Sequence, residues 1–218
     1  MTTPFDIPSY LEELSTTIHQ LPLLPMDRLV HVFLEAYDSG RTIFLFGNGG
    51  SAALASHMAC DLGKGTAPAV GRRLRAIALT DNVALITAWA NDTRYESIFA
   101  EQLENLLEPG DVAFAISASG NSPNVIAALD FARQSGAVTA GISGFQGGQM
   151  KSLCDVCVVV PSDNMQIIED LHAAIAHSVF RVLRHEIQES DRVGTTLALS
   201  HAAAEHSPTR LPGQEQRI

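Results

Sequence analysis

Two short stretches hold the residue types needed to grip an anion. Gly47-Asn48-Gly49-Gly50-Ser51 follows the apolar run Phe44-Leu45-Phe46, and Ser117-Ala118-Ser119-Gly120-Asn121-Ser122 follows the run Val112 to Ile116. Glycines let a backbone turn sharply and approach a ligand with no Cβ in the way. Each loop leads into a predicted helix, whose first N–H groups and dipole favour negative charge. Ser51 falls where an N-cap or first-turn residue belongs, so its hydroxyl can cap the helix, bind a phosphate oxygen, or do both. Taken alone, the first loop is also compatible with a tight strand-to-helix turn that binds nothing.

The residue types narrow the anion. A dinucleotide site calls for Gly-x-Gly-x-x-Gly after the first strand with an acidic residue about 20 positions on, and Gly47 to Ser51 does not fit it. A Walker-type loop needs Gly-Lys-Ser or Gly-Lys-Thr, which the chain lacks, so no nucleotide cofactor is expected. Hydroxyls and backbone N–H groups without a lysine suit a single phosphomonoester on a small molecule.

The elements that must position these loops alternate. Helical apolar spacing covers about Ile7 to Gln20 and Met26 to Tyr37, with Pro22 and Pro25 at the break and Gly40 as a left-handed cap. Strands are expected at Thr42–Phe46, Leu74–Leu79, Val112–Ile116, Val138–Ile142 and Val156–Val160. Helices fill the intervals at Ser51–Leu62, after Asp81-Asn82 to about Ala90, at Tyr95–Leu107 and at Ser122–Gln134. The last long helix starts near Met165 and ends at His185 or a little beyond. This order predicts an α/β fold, a doubly wound five-stranded parallel sheet with N-terminal helices and a long C-terminal helix. In such sheets ligands sit beyond the carboxyl ends of the strands at a topological switch point, where both loops fall. Residues 1–189 read as one domain, and 190–218 as a tail whose end is disordered.

A formal net charge of −10 with a pI near 5.1 argues against nucleic-acid or anionic membrane partners, and it requires any phosphate site to be built locally. The N-terminus has no secretory pattern, and no apolar run approaches the ~20 residues needed to span a bilayer. The odd cysteine count, Cys60, Cys154 and Cys157, suits a reducing cytoplasm. Cys154-Asp155-Val156-Cys157 has redox-motif spacing but runs into Val158-Val159-Val160, so it reads as the start of a buried strand.

Together the two loops resemble those of the sugar isomerase (SIS) domain, over roughly residues 30 to 187. The helical N-terminus, Asn91-Asp92 and Glu169-Asp170-Leu171-His172 are most similar to the phosphoheptose (sedoheptulose-7-phosphate) isomerases. The resemblance implies a cytoplasmic homotetramer with active sites between subunits. It implies phosphate binding by Ser51, Ser117, Ser119 and Ser122, with Asn48, Gly49, Gly50, Asp92 and Glu169 also contacting substrate.

It also directs attention to four further side chains. His57 and Asp61, four apart, project from one helix face; Glu169 and His177, eight apart, lie only about 80° from each other around theirs. Family positions matching these four form the catalytic and, in several members, zinc-binding cluster, with the pattern His, Glu, Gln, His. Here the set is His57, Asp61, Glu169, His177. Asp61 is one methylene shorter than the usual Glu, and Glu169 adds a negative charge where Gln is usual. Two imidazoles and two carboxylates suit zinc or a similar divalent ion. Without the resemblance, His177 reads as an ordinary core residue and Asp61 as a solvated one. His172 reads as structural or as a support behind the ligands, and Asp81, Asn82 and Asn91 as helix caps.

The expected activity is aldose–ketose isomerisation of sedoheptulose 7-phosphate to D-glycero-D-manno-heptose 7-phosphate through an enediol, with Asp61 as base and His177 as acid. The alternative is a non-catalytic SIS protein that binds a phosphosugar or a replication initiator.

Overall fold

A computed structural model of the protein describes residues 6–67 and 72–205, with side chains described to residue 190. Two helices come first, α1 (Ile7–Ile18) and α2 (Leu23–Ser39). They are followed by β1 (Thr42–Gly47), α3 (Gly50–Cys60) and a π-helical turn (Asp61–Gly65). Next come β2 (Arg75–Ala78), α4 (Val83–Asp92), a 3-10 turn (Tyr95–Ser97) and α5 (Ala100–Leu106). The chain continues through β3 (Val112–Ser117), α6 (Pro123–Gln134) and β4 (Val138–Ser143). It closes with α7 (Met150–Leu153), β5 (Val156–Val159) and α8 (Met165–Glu205).

The five strands pair in the order β2-β1-β3-β4-β5, all parallel. From β1 the chain moves outward to β2, then returns to β3 on the other side and proceeds to β5. The direction therefore reverses between β1 and β3, which makes their carboxyl ends the switch point. Successive side chains of β1 serve opposite faces. Ile43 and Leu45 join the core under α2, α3 and α8, whereas Phe44 and Phe46 join the core under α5 and α6. Ring contacts tighten both layers: the ring centroids of Phe33 and Phe114, packed edge to face on one side, and of Phe46 and Phe99, tilted on the other, are 5.4 Å apart.

Leu171, Ile175, Val179, Leu183 and Ile187 recur at fourfold spacing along α8 and are all buried, which holds this helix along the sheet. That docking carries Glu169, His172 and His177 over the end of β1.

Several boundaries differ from the sequence reading. Pro25 lies inside the first turn of α2, where its missing N–H is one of the four that have no helical partner; Pro22 alone marks the break. The stretch from Tyr95 to Leu107 divides into the 3-10 turn and α5, and α7 was not anticipated. Helix α8 continues to Glu205, past residue 190 where the tail was drawn to begin; no proline interrupts it before Pro208. The rest of that tail, 206–218, lies outside the described residues. Gly40 has φ 68° and caps α2 as expected. The Cys154 pair falls at a strand entry, with β5 opening at Val156; the hydrogen bond with Cys154 is the main cause that pushes the Cys157 thiol down to about 7.

Candidate functional site

The first loop leaves β1 under severe steric limits. A Cβ on Gly47 would lie 2.6 Å from the Ile116 carbonyl oxygen and 2.8 Å from the Ser51 Cβ, so only glycine lets the α3 N-terminus pack this close to β3. Gly49, at φ 57° and ψ −122°, adopts a conformation that side chains disfavour. Helix α3 then opens at Gly50, and Ser51 is buried in its first turn.

The second loop is braced from behind. Gly120 has φ 63°, and a Cβ there would stand 2.2 Å from the Gly147 carbonyl oxygen. The Gly144 amide donates to the Ala118 carbonyl at 2.8 Å and the Met150 amide to the Gly120 carbonyl at 3.1 Å. Asn121 accepts from the Gln149 amide at 3.0 Å through Oδ1 and donates to the Ser119 carbonyl at 3.0 Å through Nδ2. The Ser117 and Ser122 hydroxyls lie 3.3 Å apart. Ser122 is the N-cap residue of α6 but makes no capping bond with its side chain, and the Ser119 hydroxyl accepts from the Asn121 amide at 3.2 Å.

Beside the first loop, three of the four expected side chains converge. The Nε2 atoms of His57 and His177 are 2.9 Å apart. An Asp61 carboxylate oxygen lies 3.3 Å from His57 Nε2 and 4.0 Å from His177 Nε2. Asp61 opens the π-helical turn, in which the backbone widens to i→i+5 bonding. Gly65 ends this turn because a Cβ there would run into the Phe180 ring of α8 at 2.5 Å.

These three groups fit a divalent metal. A tetrahedral zinc site with ligand bonds of about 2.0–2.1 Å sets donor atoms about 3.3 Å from one another, and the three donors here lie within 4.8 Å of one another.

Glu169 departs from the four-ligand expectation. Its carboxylate faces Gly50, 3.4 Å from where a Cβ would stand, and it stays outside the group formed by His57, Asp61 and His177. All the same, Glu169, Ser51, His57 and His177 line one cavity of about 330 Å³. Asp92 ends α4 and accepts from the Asn91 amide group at 2.8 Å.

Four residues complete the site from behind. His172 is fully buried on the cavity wall, and neither ring nitrogen makes a hydrogen bond within the described residues. Burial holds its imidazole down to about 4; the Ser143 backbone carbonyl opposes this weakly, at a geometry short of a hydrogen bond. Asn124, Tyr95 and Asn121 were not singled out in the sequence. Asn124 and Asn48 exchange two side-chain hydrogen bonds of 2.8 Å, and the Tyr95 hydroxyl donates to Asn48 Oδ1 at 3.0 Å. The signal for Asn124 was its place on the first turn after a hydroxyl-rich loop, where a polar side chain has backbone to hold.

The family model for the SIS domain matches residues 9–144. A phosphoheptose isomerase of Paramagnetospirillum magneticum is 44% identical over 160 residues, covering 71% of this chain and 80% of that protein. One of Aliarcobacter butzleri is 40% identical over 163 residues, covering 75% and 86%. Among solved structures, a phosphoheptose isomerase from Francisella tularensis superposes with a TM-score of 0.76 at 29% identity, covering 85% of this chain and all of the other. With the switch-point loops and the clustered imidazoles already in place, these matches agree with the reading of the two loops: the chain belongs to the SIS domain family, and within it its relatives are the phosphoheptose isomerases.

Proposed function

We propose that the protein is an aldose–ketose isomerase that interconverts sedoheptulose 7-phosphate and D-glycero-D-manno-heptose 7-phosphate. The observation that carries this reading is the convergence of His57, Asp61 and His177 beside the glycine loop. In this reading a proton-transfer group and an anion cradle share one end of the sheet. Kinship with phosphoheptose isomerases at 40–44% identity supports the choice of sugar.

In this mechanism the phosphate rests on Ser51, Ser117, Ser119 and Ser122 and on backbone N–H groups at the starts of α3 and α6. Local donors are needed because the net charge of −10 repels an anion at long range. The Asp61 carboxylate removes a proton from the carbon next to the carbonyl, which gives an enediol. His177 gives a proton to the neighbouring carbon as the hydroxyl proton passes from one oxygen of the intermediate to the other, and transfer of the abstracted proton from Asp61 to His177 restores both groups, so no proton is gained or lost overall. Asn48, Gly49, Gly50, Asp92 and Glu169 orient the sugar. His57, Asp61 and His177 are the residues that would hold zinc or a similar divalent ion, which when bound would polarise the carbonyl oxygen.

The assembly in this reading is a homotetramer in the cytoplasm with sites completed between subunits. Helix α4 supports it: its sequence is strongly apolar, yet it has no buried residue, with Val83 67% exposed and the neighbouring Ile77 of β2 41% exposed. No helix among the described residues is long and apolar enough to cross a membrane.

The test is to incubate the purified protein with sedoheptulose 7-phosphate, with and without zinc, and to follow the anomeric proton of the aldose by NMR. Formation of the aldose supports the reading. No turnover under either condition would overturn it for this substrate.

A further inference from the structure

Asn48 lies where the sequence places a substrate ligand, and its side chain is already held by three hydrogen bonds. Its Nδ2 donates to Asn124 Oδ1 at 2.8 Å, and its Oδ1 accepts from Asn124 Nδ2 at 2.8 Å and from the Tyr95 hydroxyl at 3.0 Å. Asn124 Oδ1 also accepts from the Val125 amide at 3.0 Å. That backbone N–H, which is shared with the Ser122 carbonyl at 3.0 Å, fixes the orientation of both amides. It requires an oxygen at Asn124, which requires the Asn48 nitrogen opposite, which turns the Asn48 oxygen toward Tyr95. Both amide oxygens then use two acceptor positions each, so the network is closed on the acceptor side.

The members come from three separate segments. Asn48 stands at the end of β1, two residues before the helix that carries His57. Asn124, only 1% exposed, is in the first turn of α6 behind the hydroxyl loop. Tyr95 starts the 3-10 turn three residues after Asp92. Each segment supplies residues to the proposed site, and their meeting point is a single carboxamide oxygen.

We propose that Asn124 and Tyr95 are positioning residues of the phosphosugar site, acting through Asn48, which is the hub of this frame and keeps its second Nδ2 hydrogen for the sugar. This rests on the phosphosugar reading above. The frame fixes the distance between the hydroxyl loop, which holds the phosphate, and α3, which presents Asp61 to the carbon. An error of about 1 Å in that distance is enough to reduce a reaction by about a hundredfold. Tyr95 sets the Asp92 segment against the same reference point.

The experiment measures binding of sedoheptulose 7-phosphate and of inorganic phosphate by calorimetry to the wild type and to Tyr95→Phe, Asn48→Ala, Asn124→Ala, Asn124→Asp and Asn48→Ala/Asn124→Ala, with a melting curve for each. Tyr95→Phe removes one exposed hydroxyl. It is expected to leave melting and inorganic phosphate binding unchanged while weakening the phosphosugar about three- to tenfold, the effect of one hydrogen bond. Asn48→Ala and Asn124→Ala should each weaken the phosphosugar by about tenfold or more, and the double variant should be no weaker than the worse single one, because both changes break the same unit. Asn124→Asp keeps the acceptor for Val125 but sets an oxygen against Asn48 Oδ1 in place of the donor, so it should weaken the phosphosugar at least as much as Asn124→Ala. If Asn124→Ala does not fold, Asn124→Asp and Tyr95→Phe decide the matter.

Phosphosugar binding by Tyr95→Phe equal to wild type overturns the frame, as does full additivity in the double variant. A loss in Asn48→Ala far larger than in Asn124→Ala overturns the positioning role of Asn124, because Asn48 would then hold its place without it. A wild type that binds inorganic phosphate but no phosphosugar would instead overturn the functional reading on which the frame rests.

Discussion

His57 and His177 are 120 residues apart in sequence, yet their Nε2 atoms are 2.9 Å apart. Two ring lone pairs cannot face each other at that distance, so a proton or a cation must lie between them. With Asp61 alongside, the cation reading gives the first prediction. The protein should bind one zinc ion, and Asp61→Ala should lower the affinity by about tenfold or more, as read by competition with a chromophoric chelator. Glu169→Gln should keep the same stoichiometry, because the Glu169 carboxylate stands against Gly50 and not among the three donors.

Asp61→Asn keeps the shape of the side chain and removes its basicity. Turnover of sedoheptulose 7-phosphate should fall by about a hundredfold or more, the scale of a lost general base. Full activity in this variant would assign the base elsewhere. Asp61→Glu lengthens the arm by one methylene within a turn already widened at Asp61.

Gly120→Ala should be severely destabilising. Its φ of 63° and the 2.2 Å approach of a Cβ to the Gly147 carbonyl combine a disfavoured backbone conformation with a clash against backbone, together about 3 kcal/mol or more. For a chain of this size, that lowers the melting temperature by about 6–12 °C in a calorimetric scan.

His172 predicts an acid-sensitive step in stability. Its imidazole is held down to about 4 in the folded protein against an ordinary value of 6.5. As pH falls through 6.5 the unfolded chain takes up a proton that folded His172 refuses, so stability decreases until pH reaches about 4 and is then level for this group. The full contribution is about 3 kcal/mol. His172→Phe should flatten that part of a urea-unfolding series measured from pH 7 to 4, and it should cost little at pH 7, since it removes two buried nitrogens that have no partner.

The five strands and the two glycine- and serine-rich loops were legible in the sequence, because β1 and β3 are continuous apolar runs that each break into glycine and serine. The convergence of His57 and Asp61 was legible as well, since helical spacing fixes which side chains share a face. Glu169 was harder. Helical spacing puts it near His177, but only the docking of α8 shows that its carboxylate turns toward Gly50. The π-helical turn at Asp61 had no sequence signal beyond Gly63 and Gly65, and the pairing of Asn48 with Asn124 depends on strand order, which brings together residues 76 positions apart.

The parallel pairing of β1 with β3, which sets Gly47 beside Ile116, also dictates when the site can exist during folding. An N-terminal fragment that ends before β3 holds only the first of the two loops and one of the two imidazoles. The other imidazole arrives only when α8 docks. Contacts of such long sequence separation form late, because closing the intervening chain must come first. Binding of the proposed phosphosugar or metal should therefore report completed folding, and a saturating ligand should hold the whole chain against unfolding and not one loop alone.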